Sequence, residues 1–203
     1  VFLHGLPLAS NKKMKKYLEQ IAGKIPVKDW TLFKEITFQE QRLKGDTLLE
    51  FNKKCRYIWF LKKGAVRKIE NINGTLKTTH FYIAPFMFTV YRSLLRDLSS
   101  QMSIICETDC EFEVLLYSDL VALYNHSHPI ERVGRIMAEH QYIEEFDLRR
   151  VLLNMDALQR YEYLEANQPE IFQHFQLKDI ATFLGITPES LSRLRKIRWD
   201  KHS

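Results

Sequence analysis

The residues best placed to do chemistry lie in Leu177–Lys196, LKDIATFLGITPESLSRLRK. If Pro188 opens a helix, then Pro188, Glu189, Ser190, Ser192, Arg193 and Lys196 fall on its outward side. Acceptors, hydroxyls and cations displayed together on one helix suit the base edges and phosphates of a duplex major groove. The same stretch carries the elements that must position them. Asp179, Ile180, Ala181 and Leu184 read as a short first helix, with the small Ala181 where a second helix must cross closely. Gly185 sits at the turn, where a positive φ is needed. Thr187 is a good N-cap, Pro188 suits the first helical turn, and Glu189 and Ser190 suit the positive helix start. Ile180, Leu184, Ile186, Leu191 and Leu194 would close a small core between the two helices. A generic helical hairpin shares the glycine. The capping residues, the small crossing residue and the basic tail Arg193, Arg195, Lys196, Arg198 and Lys201 together favour a helix-turn-helix.

The chain has 203 residues, 45% of them hydrophobic, enough for one large domain or a medium one with a small partner. Its net charge of +5 is unevenly spread. Val1–Glu70 has 16 basic against 7 acidic residues, Asn71–Gln176 has 8 against 15, and Leu177–Ser203 has 6 against 3. An acidic middle followed by a basic end fits a sensing body that carries a DNA-contacting tail. Three cysteines, Cys55, Cys106 and Cys110, lack zinc-finger spacing and read as buried free thiols in a reducing cytoplasm. No apolar run is long enough to cross a membrane. Residues 1–13 place a short apolar stretch before basic residues, the reverse of a signal peptide, and read as a disordered or upstream segment.

Along the chain, Met14–Ile25 and Trp30–Ile36 have helical periodicity, and from Ile36 to Val114 the period becomes two. Strands are expected at Thr37–Leu43, Thr47–Phe51, Tyr57–Leu61, Ala65–Ile69, Thr75–Ile83, Ser103–Cys106 and Glu111–Leu116. Asn73-Gly74 marks a tight hairpin. Phe86–Leu98 interrupts the strands as a helical or looped excursion. Ser118–Tyr124 returns to helix, Pro129 suits a helix start, and Ile130–Leu153 reads as one long helix. Its apolar residues occur on more than one face, with Val133, Met137, His140, Glu144 and Val151 approximating a heptad. Ala157–Asn167 continues as helix, and a boundary is expected near Asn154–Asp156. The fold class is α+β: an antiparallel β-roll over 14–128, a long dimerisation helix over 129–154, and a helix-turn-helix, winged-helix-like domain over 155–203.

This order of elements, with the run LGITPESLSRLRK and the preceding ALQRYEYLEANQPEIFQ, resembles the catabolite activator/fumarate-nitrate regulator (Crp/Fnr) family of bacterial transcription factors. The resemblance implies a cytoplasmic, homodimeric regulator that binds double-stranded DNA, with RNA polymerase as a candidate partner. It implies that Pro188, Glu189, Ser190 and Arg193 face base edges. Glutamate can accept from cytosine N4, and arginine can donate twice to guanine. Lys178, Thr187, Ser192 and Lys196 then suit phosphate contacts.

Cyclic-nucleotide members of the family carry a Gly-Glu pair and an arginine around the excursion. Here the matching ground reads Ala84-Pro85-Phe86-Met87-Phe88 and Leu98-Ser99-Ser100-Gln101-Met102, with Arg92 and Arg96 off register. An anionic phosphate would lack its charge-assisted bonds, so no cyclic AMP binding is expected. Phe81, Phe86, Phe88, Tyr91 and Leu94 are the candidates for lining an apolar pocket for an unknown small-molecule effector. The N-terminal cysteine cluster of the iron-sulfur members is absent. A lone strand histidine, His80, makes a poor haem ligand, and His126 and His128 do not define a metal site. No cofactor, metal or membrane partner is expected. Enzymatic signatures such as a phosphate loop, HExxH or a nucleophile elbow are also missing, so the chain is not expected to be an enzyme. The competing expectation is a ligand-sensing or protein-interaction module whose C-terminal helices do not bind DNA.

Overall fold

The computed structural model describes residues 13–202, and their side chains as far as Lys196. The expectations for residues 1–12, and for the side chains of Arg198 and Lys201, lie outside the described residues. Two helices, α1 (Lys13–Ala22) and α2 (Val27–Glu35), precede the strands β1 (Thr37–Arg42), β2 (Thr47–Leu49), β3 (Tyr57–Lys63), β4 (Ala65–Ile72) and β5 (Thr75–Ile83). Then come β6 (Phe86–Phe88), α3 (Tyr91–Arg96), β7 (Met102–Cys106), β8 (Cys110–Leu116) and α4 (Tyr117–Tyr124). The chain continues through α5 (His128–Asn154), α6 (Ala157–Asn167), α7 (Ile171–His174), α8 (Leu177–Leu184) and α9 (Pro188–His202). The strands form two four-stranded antiparallel sheets, ordered β1-β8-β3-β6 and β2-β7-β4-β5. This is the α+β roll anticipated above. Among the described residues the part after β8 is wholly helical.

Local chemistry explains the boundaries. Asn73 (φ 52°) and Gly74 (φ 83°) supply the two left-handed residues of a two-residue hairpin loop. It closes the pair Ile72–Thr75, with the Gly74 N–H donating to Asn71 Oδ1 at 2.9 Å. Ser127 caps α5 by accepting from the Ile130 N–H, and its own hydroxyl donates to Asp29 Oδ1 on α2. Asp156 and Gln159 form a reciprocal capping box at the start of α6. Between them, α5 ends at Asn154 and Met155 is extended. The excursion contains a strand that its uninterrupted apolar residues concealed: Phe86–Phe88 pairs with Leu61–Trp59 at the edge of the first sheet.

Two apolar cores result. The larger fills the roll and the helices around it, with Phe60, Leu61, Ile104 and Phe112 at zero exposure. The smaller belongs to the C-terminal helices, with Ile180, Ala181 and Leu191 sealed from solvent, yet it also takes in Ala65 and Phe81 of the roll. The Phe81 ring lies 4.4 Å from that of Phe175 and 5.2 Å from that of Phe183. Helix α5 runs between the two cores. Its expected heptad is corrected here: Val133 and Val151 are buried within the chain and Glu144 faces His140 at 3.6 Å. The period had selected the inner face, because that face packs on the chain's own roll. The apolar residues left outside are Tyr142, Ile143, Phe146 and Leu153, each more than half exposed.

Because Phe81 joins the roll to the helical head, Phe81→Ala should lower stability by about 3–5 kcal/mol. In hydrogen exchange, amides of α8 should open at lower free energy than those of β3 and β8. Uniform loss of protection across both cores would contradict this division.

Candidate nucleic-acid interface and the buried cluster behind it

The C-terminal motif takes the geometry its residues call for. Helix α8 ends at Gly185 with φ 70°, where the Gly185 and Ile186 N–H groups donate back to Thr182 O and Ala181 O. Thr187 accepts from the Ser190 N–H at 3.2 Å, and Pro188 begins α9. Ile180, Leu184 and Leu191 are buried between the helices, with Ile186 and Leu194 packed at the margin. On the free side, Lys178, Thr187, Pro188, Glu189, Ser192, Arg193 and Lys196 are exposed and Ser190 is half-buried. The backbone at the helix start, and after it the motif's own threonine, hold the Glu189 carboxyl below its ordinary range. It therefore presents an ionised acceptor one turn from the Arg193 guanidinium.

What fixes this surface relative to the roll escaped the sequence reading. Arg67 on β4 donates from Nη1 to Asp179 Oδ1 on α8 at 2.6 Å and from Nε to Glu107 Oε1 at 2.8 Å. Beside it the Thr78 N–H on β5 donates to Thr182 Oγ1 at 3.2 Å. Burial pushes the Asp179 carboxyl up more than Arg67 pulls it down. The pair therefore registers the head against the roll more than it adds stability. Partners 112 residues apart leave no local signal. Consecutive charges at Arg67 and Lys68 in an apolar strand do leave one. With a side-chain period of two they must face opposite layers, so both faces of β4 are covered.

Lys68 is that second charge. It is 5% exposed, lies over the Tyr82 ring, and has a Nζ 3.9 Å from Glu145 Oε1 of α5. Desolvation lowers its ammonium to about 8. Glu145 also stands 2.8 Å from His80 Nε2. Burial and the neighbouring Lys68 both lower the His80 imidazole, keeping it neutral at pH 7. Next along α5, burial and the charge of Glu145 raise Glu144 from 4.5 to about 7. Among the described residues no cluster of side chains is arranged to hold a metal ion. Cys55, Cys106 and Cys110 are free and buried, as expected from their spacing, and the Cys110 thiol reaches the carbonyls of Ala65 and Thr108.

The five effector candidates do not share one pocket. Phe81 faces the helical head. Phe86 and Phe88 stack on Tyr82 at 5.0 and 4.8 Å, and Phe88 stacks on Trp59 at 5.8 Å, inside the roll. Leu94 is buried in the same core. Phe88 and Tyr91 line a cavity of about 360 Å³ between α5, α4 and the β6–α3 segment, while Phe81 and Phe86 border a smaller one behind β5. Among the described residues, no helix is long and apolar enough to cross a membrane.

Solved structures share this architecture. The chain superposes on FixK2 from Bradyrhizobium japonicum with a TM-score of 0.67, at 17% identity over 82% of this chain and 86% of that one. The c-di-GMP responsive global regulator CLP of Xanthomonas campestris gives 0.64, at 12% identity over 87% and 93%. The catabolite activator protein of Thermus thermophilus gives 0.55, at 17% identity over 90% and 87%. At such identities the likeness establishes the fold. No protein-family model matches the chain, and no curated protein matches it.

The Glu144 carboxyl has a testable signature. Its folded form keeps a proton to about pH 7 and its unfolded form only to about 4.5. Its contribution to stability is therefore complete below 4.5 and lost as pH rises to 7. Glu144→Gln should remove that slope and stabilise the protein at pH 8 by about 1–2 kcal/mol. Urea denaturation from pH 4.5 to 8 checks this, and an unchanged slope in the variant would count against it.

Proposed function

We propose that this protein is a DNA-binding transcription regulator of the Crp/Fnr type. The observation that carries the reading is the exposed face of α9. Glu189 and Arg193 stand free in solvent one turn apart, flanked by Lys178, Thr187, Ser192 and Lys196, while the opposite sides of α8 and α9 close an apolar core. Acceptor and fork-shaped donor at that spacing suit base edges, and the flanking cations and hydroxyls suit phosphates. The shared fold with FixK2 and the catabolite activator protein supports the same reading.

The working unit is a homodimer. Tyr142, Ile143, Phe146 and Leu153 form an apolar stripe along α5 that the chain itself leaves uncovered. Pairing two such helices would set the recognition helices about 34 Å apart and demand an inverted-repeat site. From that site the dimer would assist or obstruct RNA polymerase at a promoter. The roll does not take cyclic AMP. Neither Ala84–Phe88 nor Leu98–Met102 supplies a cation or carboxylate for a ribose phosphate.

Selection of bound duplexes from random DNA should return an inverted repeat. Against that site, Arg193→Ala should lose about 1–3 kcal/mol, concentrated at one base pair of each half-site. Lys178→Ala should weaken binding to all sequences evenly and reduce its salt dependence. Purified protein that enriches no sequence, alone or with cell metabolites, would refute the reading.

A further inference from the structure

Behind β5, where α5, α6 and α8 meet, lies a narrow, mainly apolar cavity of about 50 Å³. Three buried polar atoms on its lining residues have no hydrogen-bond partner among the described residues: Nδ1 and Nε2 of His80 and Nε of Arg160. Nε2 at least has the Glu145 carboxylate 2.8 Å away, so Nδ1 and Arg160 Nε are the two orphans left. Buried polar atoms nearly always hold a partner, so two orphans around one cavity point to an absent group. Their chemistry narrows it. The Glu145 carboxylate stands against Nε2 of His80, which keeps the ring proton there and leaves Nδ1 as an acceptor. Arg160 Nε is a donor in every state.

The walls narrow it further. Glu144 and Glu145 disfavour an anion, and Arg160 with the adjacent Lys68 disfavours a cation. Phe86, Leu148, Leu152 and Phe183 offer apolar surface. The position also matters. Arg160 Nη1 stands 3.3 Å from where a side chain on Gly185 would begin, so the same guanidinium rests over the turn of the helix-turn-helix.

We propose that this junction binds a small uncharged organic molecule bearing an amide or alcohol, which donates to His80 Nδ1 and accepts from Arg160 Nε, with its apolar part against Leu148 and Phe183. Occupancy ties together β5, α5, α6 and α8, and so steadies the head on the roll. The inference deepens the regulator reading by giving its effector a site and a chemical class. The binding itself is read without DNA.

The probes are isobutyramide, isobutyrate and isobutylamine, titrated to tens of millimolar against the full chain with ¹⁵N-labelled histidine. Isobutyramide should give a saturable shift of the His80 Nδ1 signal and slow hydrogen exchange in α8, while the two charged isosteres bind at least tenfold more weakly. Arg160→Met, with its fold verified by thermal melting, should weaken isobutyramide at least tenfold. Leu148→Trp, which fills the cavity, should do the same. If no probe saturates, or all three bind alike, or neither variant weakens binding, the orphaned atoms are met by water alone and the proposal falls. Saturation without slower exchange in α8 would overturn the link to the head. Absence of DNA binding would count against the regulator reading and leave these outcomes as they stand.

Discussion

The orientation of the exposed face of α9 depends on one docking contact, that of α8 on the outer side of β4 and β5. Phe81 supplies its apolar part, packed at a tilt against Phe175 and Phe183, and Arg67 supplies its polar part, pairing with Asp179 and Glu107. The two act differently. Burying aromatic rings is favourable over many nearby geometries, so it holds the head without choosing its angle. A buried ion pair adds little net stability, but it penalises every geometry that leaves Asp179 desolvated and alone. Together they select one pose. Because α9 is tied to α8 through Ile180, Leu184 and Leu191, that pose also fixes where Glu189 and Arg193 point.

What could be read from the amino acids alone follows from how far each deciding interaction reaches. Thr187 caps an N–H three residues on, Gly185 turns the chain beside its own helix, and Asn73-Gly74 closes a loop of two residues. All three were legible, as was the exposure of Glu189 and Arg193, because a 3.6-residue period sorts their neighbours inward. Where the decision was tertiary, the sequence was mute. The β6 pairing needs Trp59–Leu61 as its template, and the single-turn helix Ile171–His174 carries too few residues to show a period. Helix α5 is the instructive error. Apolar residues lie on two of its sides, and periodicity cannot say which side meets the chain's own roll. Val133 and Val151 answer that only once the roll is folded.

The same reasoning separates the roll from the chemistry that a sensor requires. Within it the rings of Tyr82, Phe86, Phe88 and Trp59 stack on one another, and the free space, about 360 Å³, lies beside Phe88 toward α4 and α5. The titratable groups that a signal could engage lie beside these rings, on the inner face of β4 and β5, opposite the face that carries Arg67 and Phe81. There Lys68, His80, Glu145 and Glu144 are held between the sheet and α5. Charges in such a place are costly unless each finds a partner, and the partners come from different elements: Lys68 from β4, His80 from β5, the glutamates from α5. Shifting α5 by a fraction of a turn would part Glu145 from Lys68 and the neutral His80 at once and leave two charges, that of Lys68 buried, uncompensated. The cluster is therefore stable in one register of helix on sheet. The helix that sets this register also carries the uncovered stripe of Tyr142, Ile143, Phe146 and Leu153. If the proposed dimer forms through that stripe, assembly and docking of the head on β5 share a single mechanical part, and a disturbance of either reaches the other through the position of α5.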